Sequence, residues 1–404
     1  DIAAVQQNIY DMVGYEFNVA SPAQLASALF DKLLLPTAGI KKGKTGYSTN
    51  QKELDKLRGQ HPIIELVERF RELSKLQNTY VAALPEQTDA NGYIHTTFNQ
   101  DVTATGRLSS TNPNLQNIPI RTELGRQIRD AFVPAPGNVF VNADYSQFEL
   151  RLAAVMAGEK QMIEDFNADV DIHAKTAAEV YNVPINEVTP AQRRRAKVVN
   201  FGVLYGMSQH GLAAAANMSY GEAQHFIDEY YRIRPHIKEF MEQTIRQAHE
   251  DGFVQTLFGR RRPTPDVRSN NFAVRSAAER AAANMPIQGT EADLMKLAML
   301  AVEKRLTTMT SPDLLPSETG KFEKNEFALP ERQVSSGSKS GLVHKNISLG
   351  HQILQIHDSI MVECPRQNAE IVSKMLVETM ENIYPQLGIK LKVDVKIGNN
   401  WGEV

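Results

Sequence analysis

The chain has 404 residues, 42% of them hydrophobic and 23% charged, with a formal net charge of −3. This composition excludes a fibrous or disordered chain, and the length exceeds what one core fills, so two or three lobes are expected. No apolar run approaches 18 residues, the opening Asp1-Ile2-Ala3-Ala4 shows no leader pattern, and a single cysteine, Cys364, excludes a disulfide framework; a cytoplasmic protein with no membrane role is expected.

From residue 20 to 84 apolar residues recur at three- and four-residue steps, as in Leu25, Leu29 and Leu33 and then Ile64, Val67, Phe70, Leu73 and Leu76. That period predicts helices, interrupted by a Gly/Lys/Thr loop over 39–50 that carries Lys41-Lys42-Gly43-Lys44. Residues 92–150 turn to strand and turn signals around Gly92, Gly106, Pro113, Pro119 and Pro136, which reads as a compact α/β core. From 151 to about 300 the chain is again helical and alanine-rich, and 351–404 reads as strand, turn, strand, helix, strand, ending at Trp401. Residues 307–349 are rich in Thr, Ser, Gly and Lys with little periodicity, the mark of an insertion or a loop. No internal repeat is found.

Two aspartates stand at strand ends. Asp144 follows the apolar run Val139-Phe140-Val141, and Asp358 sits between Ile353-Leu354 and Ile360-Met361-Val362, at the bend of an expected hairpin. Singly, each is as readily a turn or cap residue. Together on adjacent strands they would form a site for two Mg²⁺ ions, which use oxygen donors and serve in-line phosphoryl transfer. Arg193, Lys197 and Phe201 follow at i, i+4 and i+8, one helical stripe of about 12 Å suited to a triphosphate and the sugar or base it carries. The alternative is an amphipathic helix whose basic stems cover core edges. The basic runs Arg193-Arg194-Arg195 and Arg260-Arg261-Arg262, like the lysines at 41–44, read singly as solvated surface. The acidic net charge does not announce a nucleic-acid partner, but acidic surface elsewhere in a large enzyme offsets local basic patches.

Seven strings, in order, carry a resemblance: Thr103-Ala104-Thr105-Gly106-Arg107-Leu108-Ser109-Ser110; Asn112-Pro113-Asn114-Leu115-Gln116-Asn117-Ile118-Pro119; the segment from Asp144 to Arg151; that from Arg193 to Gly206; Thr256-Leu257-Phe258-Gly259-Arg260-Arg261-Arg262; Asn284-Met285-Pro286-Ile287-Gln288-Gly289-Thr290; and His357-Asp358. They resemble family-A DNA polymerases, the bacterial DNA polymerase I group, over the whole chain except 307–349. The resemblance implies an α+β fold, a right-hand polymerase with an antiparallel-sheet palm and mainly helical fingers and thumb. Residues 1–95 would be part of the thumb, 96–151 the first part of the palm, 152–278 the fingers, and 279–404 the second part of the palm, with the insertion at about 307–349. The matched strings open within the expected thumb, and no 5′-nuclease or proofreading region is expected among these residues.

By the same resemblance Asp144, Asp358, Arg193 and Lys197 are the catalytic set. Asp144 and Asp358, with the Tyr145 carbonyl, would hold two Mg²⁺ ions, for which Mn²⁺ substitutes. His173, Arg193 and Lys197 would grip the incoming deoxynucleoside triphosphate, while Phe201 and Tyr205 pack on the nucleotide and the template base and Gln147 joins the nucleotide site. Glu149 matches the steric gate that meets the sugar's 2′ carbon. Arg107, Asn284, Gln288 and His357 match readers of the primer end's minor groove, where acceptors common to all correct pairs are read by donors. Asn114, Gln116, Asn117 and Arg280 are further DNA contacts, and Lys41, Lys42 and Lys44 would lie on the duplex backbone, a salt-sensitive contact. The implied partners are primer–template DNA and deoxynucleoside triphosphates, and the implied state is a monomer in the nucleoid.

The chain departs from the family's pattern at two places. Ser359 stands where most relatives carry a glutamate, so that acid's supporting role is absent or passes to Glu363. Phe148 replaces the usual isoleucine before the steric gate, and its larger ring is expected to alter the nucleotide pocket. A single-subunit RNA polymerase is the rival enzyme, and Glu149 argues against it because a ribonucleotide needs that space open. A non-catalytic DNA-binding relative is the rival from another class. Retention of Asp144, Asp358, Arg193 and Lys197 together argues against decay.

Overall fold

The computed structural model describes residues 1–404 apart from 45, 121 and 309–347. Nearly all of the expected insertion, with its lysines 321, 324, 339 and 345, therefore lies outside the described residues. By internal contact the chain divides into two units, Asp1–Thr97 with Thr111–Ile128, and Phe98–Ser110 with Arg129–Val404.

In the first unit the helices Ile2–Val13 and Ile63–Leu76 bury one apolar stripe each, and Ile9, Leu25, Leu29, Ile64 and Val67 are fully buried in a shared core. The stretch expected as a basic loop folds into a short hairpin of β1 (Lys42–Gly43) and β2 (Gly46–Tyr47), pairing Lys42 with Tyr47. The Lys42 ammonium lies 5.0 Å from the centre of the Tyr47 ring, which packs in turn on Phe30 at 5.1 Å. A helix, Glu123–Asp130, begins in this unit and ends two residues past its last residue, Ile128, inside a stretch read from sequence as strand and turn.

Strands β3 (Thr97–Asn99) and β4 (Ser109–Thr111) lie where the chain passes between the units. The second unit is built on a sheet of β5 (Asn138–Tyr145), β8 (His351–Ile356), β9 (Ser359–Pro365) and β10 (Val393–Gly398), in the antiparallel order β10-β5-β9-β8. A separate hairpin pairs β6 (Phe253–Gln255) with β7 (Arg261–Pro263). Helices dominate the rest, so the class is α+β.

Period two explains how β5 presents its aspartate. Val139, Val141, Ala143 and Tyr145 alternate toward the core and are at most 2% exposed, which leaves Asn142 and Asp144 on the opposite face. Core packing anchors the strand end: the buried Tyr145 hydroxyl donates to the Met380 carbonyl at 2.7 Å, and its ring stacks on Phe148 with centroids 4.2 Å apart. Phe148 is thus a core residue, 1% exposed, packed behind the strand end. Phe148→Ile is accordingly expected to cost about 1–2 kcal/mol of stability through the lost ring contact, read as a lower melting temperature, with misincorporation unchanged.

Candidate active site

The β5, β8 and β9 register brings the two aspartate motifs together. Asp144 pairs with Ser359, the residue after Asp358, and the Tyr145 amide donates to the Asp358 carbonyl at 3.0 Å. The two carboxylates are within hydrogen-bonding reach of each other. On the other flank Asp394 of β10 pairs with Asp144, adding a third acid on the same face, and Lys396 follows two residues on. The residues framing the aspartates are held in a left-handed conformation, Gln147 at φ 56° and His357 at φ 51°, which costs an L residue about 1–3 kcal/mol.

Beside these strand ends lies a buried polar cluster. Glu149 in the first turn of the Phe148–Ala157 helix is 6% exposed, and both its oxygens accept from the Tyr205 hydroxyl, at 2.9 and 2.7 Å. Arg107 Nη2 donates to Glu149 at 2.7 Å and to both oxygens of Glu291 at 2.8 and 2.7 Å. Asn284 Nδ2 donates to the Leu204 carbonyl at 3.1 Å. Gly289, in the helix Phe272–Thr308 that also carries Asn284 and Gln288, must lack a side chain, because a Cβ would come within 2.4 Å of Thr256 Cγ2.

Arg193, Lys197 and Phe201 share the helix Pro190–Leu204, whose start is set by a capping box of Thr189 with Gln192 and by Pro190 at its first position. The helix packs on Ile172–Tyr181 through His173, 2% exposed, whose Nδ1 meets Asn200 Nδ2 at 2.9 Å. As placed, the Asn200 amide nitrogen faces Nδ1, the arrangement in which a neutral ring has its proton on Nε2. Arg193 Nε donates to Asp171 at 2.6 Å, and Asp171 also caps the His173 helix through the amides of His173 and Ala174. Lys197 is exposed and makes no ion pair among the described residues.

The family model described as DNA polymerase family A matches residues 1–403. The chain belongs to DNA polymerase family A. It is 42% identical to the thermostable DNA polymerase I of Thermus aquaticus over 99% of this chain and 44% of that protein, and 43% identical to the DNA polymerase I of Bacillus caldotenax over 99% of this chain and 41% of that one. The chain thus spans less than half the length of these curated relatives. Among solved structures, the POL domain of Pol1 from M. smegmatis, in complex with DNA primer-template and dNTP, is similar with a TM-score of 0.83 and 37% identity, over all of this chain and 64% of that one.

In this family-A chain the electrostatics of the aspartate pair are pronounced. Withdrawal from water, then Asp358 and Asp394, raise Asp144 to about 7 against the opposing Lys396, although the residue as a whole stands open to solvent. Burial raises Asp358 as well. Burial also pushes Glu291 up to about 8, against the lowering by Arg107, and lowers His173 to about 4, with Arg193 and Lys197 adding to the effect and Asp171 opposing it. A carboxyl raised from 3.8 to about 7 binds more protons in the native state, so its contribution to stability falls as pH rises through that window. In the absence of divalent cations, the melting temperature of the wild type is expected to decline from pH 4 to pH 7 more steeply than that of Asp144→Asn.

Paired carboxylates that repel each other suit a hard divalent cation with oxygen donors. Among the described residues no group of three or more His, Cys, Asp and Glu side chains is placed to hold a metal ion.

Glu363 does not replace the glutamate missing at 359. Its carboxylate accepts from the Ala135 amide at 2.9 Å and Asn138 Nδ2 at 2.8 Å, about 13 Å along β9 from Ser359, while the Ser359 hydroxyl donates to the Ile356 carbonyl. The acids that do surround the site, Glu291 and Asp394, escaped the sequence reading, as did Asp171 and Asn200. The only sequence signal for Glu291 was its place one turn beyond Gln288. Of the remaining candidates, Arg280 is exposed on the Phe272–Thr308 helix and packs against Gly206. Asn114, Gln116, Asn117 and the three lysines belong to the first unit, where the Asn114 side chain caps the Leu115–Asn117 turn and the Asn117 carbonyl accepts from Tyr80.

Proposed function

We propose that this chain is the polymerising part of a template-directed DNA polymerase, which joins a deoxynucleoside triphosphate to a primer 3′ hydroxyl. The observation that carries the reading is the meeting of Asp144 and Asp358 at the ends of neighbouring central strands, with Glu149, Tyr205 and Arg107 linked beside them. The 3′ oxygen forms a bond to the α-phosphorus, the bond from that phosphorus to the β-phosphoryl oxygen breaks, and pyrophosphate leaves. Asp144 and Asp358, with the Tyr145 carbonyl, would hold two Mg²⁺ or Mn²⁺ ions, which supply activation of the hydroxyl and neutralisation of the leaving group. Arg193 and Lys197 donate to the triphosphate, and neutral His173 contributes its Nε2–H. Asp171 holds Arg193 until the phosphates compete for it.

Glu149, fixed from two sides, occupies the space of a 2′ hydroxyl and so selects deoxynucleotides, which disfavours the RNA-polymerase reading. Phe201 and Tyr205 pack on the nucleotide and template base, and Gln147 lines the nucleotide site. Arg107, Asn284, Gln288 and His357 read the primer end, with Asn114, Gln116, Asn117 and Arg280 as further DNA contacts and Lys41, Lys42 and Lys44 on the duplex backbone. The M. smegmatis structure, which holds DNA primer-template and dNTP, supports these assignments by similarity. The protein would act as a monomer on chromosomal DNA in the nucleoid. Extension of a labelled primer with Mg²⁺ and all four deoxynucleotides tests the reading. Product ending at the template's 5′ end, absent without template and absent for Asp144→Ala, is expected; DNA binding without extension would make the chain a non-catalytic relative.

A further inference from the structure

We propose that Glu291 is a positioning residue for the polymerase reaction, holding the Arg107 guanidinium in register for the primer terminus. The inference rests on the reading above, in which Arg107 contacts that terminus. Glu291 is 1% exposed, and an acid in such a place is costly without a specific hydrogen-bonding partner. Its partner is Arg107 alone among the hydrogen bonds of the described residues, with both oxygens on Nη2. Glu149 shares the same nitrogen, so one guanidinium serves two acids, and Glu149 is bound in addition by Tyr205.

The two acids differ in what they sit on. Glu149 lies in the first turn of the helix that follows Asp144, next to the incoming sugar, and any shift it makes against a nucleotide would carry Arg107 with it. Glu291 lies well inside the Phe272–Thr308 helix of 37 residues, at i+7 from Asn284 and i+3 from Gln288, on the face that carries those two proposed DNA readers. It ties Arg107 to the elements that read the primer end, independently of Glu149. All three close contacts fall on Nη2, which leaves Nη1 for a groove acceptor. The Arg107 turn is fastened to the same helix a second time, where Lys296 Nζ donates to the Gly106 carbonyl at 2.6 Å. Glu291 is enclosed and both its oxygens face Arg107, so it acts through Arg107 and not by touching DNA.

The test is single-nucleotide extension from matched and mismatched primer termini. Glu291→Leu, which removes the acceptor, is expected to slow matched extension about 10-fold while mismatched extension changes less than about twofold; Glu291→Gln, which keeps one acceptor oxygen, recovers most of the loss. In an Arg107→Ala background, Glu291→Leu should add less than about twofold. Equal losses on matched and mismatched ends, or a full 10-fold loss that persists without Arg107, would overturn the proposal while leaving the polymerase reading intact. A wild type that extends no primer would overturn both. Should Glu291→Leu fail to fold, Glu291→Gln and Glu291→Asp carry the same comparison.

Discussion

Asp144→Asn and Asp358→Asn are each expected to lower single-turnover insertion by at least about 1,000-fold while primer–template binding, read by fluorescence anisotropy, stays within about twofold. The substitutions keep shape and remove charge. Asparagine offers one neutral oxygen where the carboxylate offered a charged one, and a divalent ion completed by substrate oxygens depends on that charge. Fold damage is separable from this effect. Each wild-type acid is raised by burial and, for Asp144, by Asp358 and Asp394, so asparagine relieves repulsion and the metal-free variant should melt no lower than wild type at neutral pH. Loss of insertion with lost stability would point instead to a structural pair.

Glu149→Ala is expected to relax discrimination against ribonucleotides about 100-fold, measured as the ratio of insertion efficiencies for a deoxy- and a ribonucleoside triphosphate with the same base. The side chain is buried and held by Tyr205 and Arg107, so it cannot swing aside for a 2′ hydroxyl without breaking hydrogen bonds at 2.7–2.9 Å. Its removal also frees Tyr205 and leaves Arg107 with Glu291 alone. A moderate fall in deoxynucleotide insertion should therefore accompany the gain in ribonucleotide use. Unchanged selectivity in a folded variant would mean that the sugar is read elsewhere.

The elements legible in the sequence were those whose signal is local. Val139-Phe140-Val141 announced β5, and the two apolar runs flanking His357-Asp358 announced the β8–β9 hairpin, because strand burial writes itself into a short run. Spacing likewise placed Arg193, Lys197 and Phe201 on one helix. What escaped depends on distant pairing. The Arg107–Glu291 contact spans 184 positions, and no periodicity reports it. Asp394 becomes a neighbour of Asp144 only through the β10–β5 register. The stacking of Phe148 on Tyr145 was likewise hidden, because it depends on the left-handed Gln147 starting a new helix there. Glu363 failed as a substitute for the missing acid for a related reason: four residues along a strand is a long distance, and the polar groups at the start of β5 claim it first.

The most direct measurement is single-turnover insertion by the wild-type chain on a primer–template with Mg²⁺, comparing a deoxy- with a ribonucleoside triphosphate of the same base. Templated insertion of the deoxynucleotide with at least about 100-fold preference is the predicted result. Equal use of both sugars, preference for the ribonucleotide, or no insertion at all would contradict it.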